Sequence, residues 1–117
     1  MTPKLTAGNR LRRDLDAALA AAGKELGTTL EWDERELDAI GRAAATADRV
    51  EELREVFAAE QAGRARSGHL VRLSAEMRLL DRLVTDLLAR LSLGVGPAKS
   101  QRHVRAARRR WDRDRAQ

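Results

Sequence analysis

Cysteine and tyrosine are absent from this 117-residue chain, and its only aromatic side chains are Phe57, Trp32 and Trp111. Without cysteine, neither a disulfide framework nor a thiolate metal site is available. So few aromatic and β-branched residues argue against strands, while abundant Ala, Leu, Arg, Glu and Asp favour helices. No long apolar run is present either. The segment 1–10, MTPKLTAGNR, has no signal-peptide core, and AALAAA at 17–22 is far too short to span a bilayer. A cytoplasmic protein with no membrane contact is expected, of one domain and a modest core.

The net charge of +5 is unevenly placed. Residues 99–117 hold eight basic and two acidic side chains, a balance of +6. Residues 1–98 hold 15 basic and 16 acidic ones, a balance of −1. A near-neutral body with one basic end points to a polyanionic partner at that end. The candidate contacts there are Lys99, Arg102, Arg105, Arg108, Arg109 and Arg110, with Trp111 placed to stack on a base or wedge into a step. A solvated tail anchored by Trp111 is the competing reading.

The clearest pattern lies in Leu70–Leu91. Leu70, Leu73, Met77, Leu80, Val84, Leu87 and Leu91 alternate steps of three and four, which is a heptad seam on a helix. Leu79, Leu83 and Leu88 widen the stripe beyond what one neighbouring helix covers, and exposed apolar area of this kind marks an interface. Those three leucines are the expected contacts with another copy of the chain. The alternative is an intramolecular seam in a small bundle.

Two further helices precede it. One is expected over about residues 9–26, ended by Gly27 in a left-handed cap, with residues 1–8 mobile. The next, about 33–61, starts at Asp33 with Glu36 completing a capping box and with Trp32 and Leu37 placed for a hydrophobic staple. Ile40, Ala44, Ala47, Val50, Leu53 and Phe57 continue its apolar face. Gly41 is a penalty inside it unless another helix approaches closely. Residues 62–69 read as a loop and the third helix as about 70–92, closed by Gly94, Gly96 and Pro97. The fold class is all-α: a long antiparallel helical hairpin, a shorter N-terminal helix, and a basic C-terminal tail over 98–117. Residues 9–97 form the oligomerisation domain in this reading.

No active site emerges. His69 and His103 lack the third His, Cys or spaced carboxylates that metal coordination requires. Ser67, Gly68 and His69 adjoin, but adjacency does not make a triad. Glu51, Glu52 and Glu55 are interleaved with Arg49 and Arg54, as on a solvated helix face. An enzyme is not expected, nor a cofactor.

Two segments resemble a known family. Ala47-Asp48-Arg49-Val50-Glu51-Glu52-Leu53, the glycine-containing loop after it and Ala75-Glu76-Met77-Arg78 are similar to the small terminase subunits of actinobacterial phages and prophages. The ending Ser100-Gln101-Arg102-His103-Val104-Arg105-Ala106-Ala107-Arg108-Arg109-Arg110-Trp111 resembles their S-x-R-H-x-x-A-A-R-x-R-W ending. Where those proteins often have a proline opening the third helix, Arg72 or Leu73 stands here. The resemblance covers roughly Trp32 to Trp111. It implies a non-catalytic protein of the host cytoplasm that forms a homo-oligomeric ring, binds double-stranded viral DNA and delivers it to the terminase large subunit. Arg10, Arg12 and Arg13 on the first helix are a second candidate DNA contact. The rival readings are a helical protein–protein adaptor of antitoxin type and a general DNA-binding protein.

Overall fold

The computed structural model of the protein describes residues 4–91, which form three helices and no strand. These are α1 (Ala7–Leu26), α2 (Glu34–Ala62) and α3 (Ser67–Leu88). The all-α class and the long hairpin of α2 and α3 agree with the sequence pattern. The basic tail lies outside the described residues. No helix among those described is long and apolar enough to cross a membrane.

α1 starts two residues earlier than its apolar periodicity indicates. Thr6 is the N-cap, its hydroxyl accepting from the Asn9 amide at 3.1 Å. Ala7 and Gly8, expected in a mobile segment, are thus its first turn. At the other end Gly27 adopts φ 72° and its N–H donates to the Gly23 and Lys24 carbonyls, the left-handed stop expected of it.

α2 begins as the sequence specifies. The Asp33 side chain accepts from the Glu36 amide at 2.8 Å, and the Glu36 carboxylate accepts from the Asp33 amide at 3.0 Å. These reciprocal bonds satisfy two donors at the helix entrance. The expected staple is different. Leu37 is 52% exposed, and the Trp32 indole N–H reaches across to donate to Asp16 of α1 at 3.3 Å.

The turn between α2 and α3 is shorter than expected, covering only residues 63–66. Ser67, Gly68 and His69 are already helical. One side chain explains the compression. The Glu60 carboxylate accepts from the Arg66 amide at 2.9 Å and from the Arg66 guanidinium at 2.8 and 2.9 Å. Arg66 is the N-cap residue of α3 and makes no side-chain cap bond itself. The left-handed position in the turn falls not on a glycine but on Ala65, at φ 51°.

Packing follows from the helical repeat. α2 is central: α3 packs along it, α1 packs against it, and α1 barely reaches α3. The core is small and rich in alanine, comprising Leu15, Leu19 and Ala22 of α1, Ala39, Ile40, Ala43, Ala44, Val50 and Leu53 of α2, and Leu73 and Leu87 of α3. Of the α3 seam only those two leucines are fully buried, and Leu70, Met77, Leu80, Val84 and Leu91 are half-buried. A single partner helix leaves a heptad seam open along its edges.

Candidate functional site

Two surfaces carry the sequence-based candidates, and they sit on opposite sides of α2. The first is a flank of the hairpin. Arg54 of α2 pairs with Asp81 of α3 at 3.8 Å, which places these residues level with each other on one side of the antiparallel pair. Each helical residue turns about 100°, so a step of two residues swings a side chain to the far side. Val56, two beyond Arg54, and Leu79, two before Asp81, therefore emerge together on the other flank. Leu83, one turn from Leu79, joins them. Exposure agrees: Val56 is 45%, Leu79 66% and Leu83 42% accessible.

This flank differs from the expected set of three leucines. Leu88 lies nine residues from Leu79, half a turn around the helix, so it belongs to the Arg54–Asp81 side and is half-buried. Leu79 and Leu83 are brought together, Leu88 is not, and Val56 takes its place. Val56 interrupts the apolar register of α2 between Leu53 and Phe57. That interruption was the available signal in the sequence.

The second surface is the start of α1. A helix leaves its first amides without internal partners, and here α2 supplies them. The Ala7 N–H donates to Glu51 Oε1 at 2.9 Å and the Gly8 N–H to Asp48 Oδ1 at 2.7 Å. Arg10 donates to Glu51 Oε2 at 3.2 Å and to the Leu5 carbonyl at 2.7 Å. Ala44, Asp48 and Glu51 follow one another at i, i+4 and i+7, one stripe of α2 facing α1. The amide of Ala7 first, and then Arg10, hold the Glu51 carboxyl below its ordinary range. Glu51 is thus a docking group rather than part of a solvated face, and Asp48 with it.

Gly8 explains how close this contact is. A Cβ at position 8 would collide with the Ala44 carbonyl. At Gly41, a penalty inside α2 unless another helix approaches closely, the nearest atom to such a Cβ is Arg12 Nη2 at 3.8 Å, an ordinary contact. The close approach of two helices falls on Gly8 instead.

The candidate DNA contacts divide accordingly. Arg10 is held by Glu51. Arg12 and Arg13 are exposed, with Arg13 beside Asp14 at 3.3 Å. Lys99, Arg102, Arg105, Arg108, Arg109, Arg110 and Trp111 lie outside the described residues. Among the described residues no group of three or more His, Cys, Asp or Glu side chains is placed to hold a metal ion. A cleft of about 520 Å³ is lined by Glu34, Arg35, Asp38 and Arg90, two acids and two bases at the far end of the hairpin from its turn. Compared with protein-family models, with curated proteins and with solved structures, the chain matches none.

Proposed function

We propose that this chain is the non-catalytic small subunit of a phage DNA-packaging terminase. In this reading it self-associates through the α2–α3 hairpin, contacts double-stranded DNA through arginines, and recruits the large ATPase–nuclease subunit. The sequence resemblance over Trp32 to Trp111 is the source of the family assignment. The observation that carries the assembly part is the open flank of Val56, Leu79 and Leu83. Apolar side chains exposed together along both helices of the hairpin are suited to burial against a second copy.

The basic residues fit the DNA part of the proposal. Phosphate contacts by Arg and Lys give affinity that falls steeply with salt, by a slope of roughly −0.9 per phosphate in log K for duplex DNA. In an assembly, several basic tails acting together raise the effective affinity of each. Arg12 and Arg13, both exposed on α1, would add to the contact.

A second reading keeps the flank and changes its occupant. A helical adaptor would use Val56, Leu79 and Leu83 to clasp a helix of a different protein. A mobility-shift assay with viral and random duplexes, run beside a solution mass, separates the two. The terminase reading expects a multimer that shifts DNA and binds the large subunit. A monomer or heteromer indifferent to DNA contradicts it and favours the adaptor. Binding to every duplex alike, without the large subunit, favours a general DNA-binding protein.

A further inference from the structure

The contact between α1 and the hairpin is of a different kind from the contact within the hairpin. α3 lies along α2 through leucines, valines and alanines. α1 meets α2 chiefly through small residues and charge: Gly8 against the Ala44 carbonyl, and two carboxylates on its first turn. α1 buries Leu15 and Leu19 as large apolar side chains, as many as α3 does with Leu73 and Leu87, but its contact with α2 is the less extensive of the two and it has little contact with α3. Elements with few buried apolar contacts open separately from the rest of a fold.

We infer that α1 is a separable unit, latched to the hairpin at its first turn by Asp48 and Glu51, and that Arg10, 39% exposed in its pair with Glu51, gives its whole guanidinium to an anionic partner only when the latch opens. The same Glu51 carboxylate holds the Ala7 amide and the Arg10 guanidinium. Releasing the turn and freeing the cation are therefore one event. Arg12 and Arg13 need no such release, being exposed with α1 docked. The latch partly withholds one of three neighbouring arginines and so couples the position of α1 to polyanion binding. By linkage, a polyanion that engages Arg10 draws the equilibrium toward the released helix. The inference rests on the α1–α2 geometry and holds whichever partner the hairpin flank takes.

Amide hydrogen exchange on the full chain tests the first half. In Asp48→Asn/Glu51→Gln, amides of residues 11–26 should exchange about tenfold faster or more, while those of α3 and of Val50–Leu53 keep their rates. Gly8→Ala, which disturbs the same turn by collision and leaves both carboxylates intact, should give the same pattern. Unchanged α1 rates in both variants, or equal acceleration of all three helices, would overturn the separable unit. Heparin chromatography tests the second half. Asp48→Asn/Glu51→Gln should elute at higher salt than Glu76→Gln/Asp86→Asn, which removes the same two charges from exposed positions on α3. Equal elution of the two variants would overturn the withholding of Arg10.

Discussion

Gly8 of α1 sits directly against the carbonyl of Ala44 in α2, with no room for a methyl group between them. Gly8→Ala forces the two helices apart, and the expected cost is about 1–3 kcal/mol, the range for overpacking a tight contact. Gly41→Ala should do the reverse. Nothing crowds that position, and replacing a glycine inside a helix stabilises by about 0.5–1 kcal/mol. Urea unfolding of both variants measures the opposite signs. Equal effects would show that the α1–α2 approach is not close.

The turn at residues 63–66 offers a similar contrast. Ala65 has a left-handed backbone, which costs an L-residue with a Cβ about 1 kcal/mol. Ala65→Gly relieves that cost but frees the unfolded chain, so a net gain of about 0.5 kcal/mol is expected. A loss of stability would mean that Ala65 is not in the left-handed region.

Glu60 makes the hairpin sensitive to acid. Hydrogen bonds from the Arg66 guanidinium, and then from the Arg66 amide, lower its pKa to about 2. A carboxyl with a depressed folded pKa stabilises fully above its unfolded pKa, near 4.5, and loses that contribution as pH falls through the folded value. Stability should decline between about pH 4.5 and pH 2, and Glu60→Gln should flatten that part of the acid limb. Thermal midpoints across this range supply the measurement. An acid limb of unaltered slope in the variant would remove Glu60 as its source.

Much of this architecture was legible in the residues themselves. The Asp33–Glu36 box, the Gly27 stop and the heptad seam of α3 are local patterns, and local patterns fix local geometry. What the sequence concealed depends on partners distant along the chain. Asp48 and Glu51 look like surface charges until α1 folds back to present Ala7, Gly8 and Arg10 to them, some 40 residues away in sequence. Gly8 falls in a segment that reads as mobile for the same reason. Glu60 and Arg66 shorten a loop that two glycines and a serine seemed to lengthen. Val56 becomes part of an apolar flank only when α3 lies beside it.

Removing residues 97–117 separates the roles of the two basic regions. If the tail contacts DNA, the truncated chain loses affinity and its salt slope falls by roughly 0.9 for each phosphate contact removed. Fluorescence anisotropy over a salt series reads both quantities. Unchanged affinity and slope would transfer the DNA contact to the body, where Arg12 and Arg13 are the exposed candidates.

The exposed flank makes the sharpest demand. A charge at Leu83 should prevent assembly while leaving the hairpin folded, because that side chain is 42% accessible in the single chain. Leu83→Asp is expected to shift monomer stability by no more than about 0.5 kcal/mol, as for other surface changes. Outright unfolding of the variant would place Leu83 in the core instead.

Light scattering of the intact chain at micromolar concentration tests self-association through this flank most directly. The account predicts a particle several times the 13.0 kDa chain mass, reduced to a single chain by Leu83→Asp. A wild-type protein that runs strictly as a monomer would contradict it.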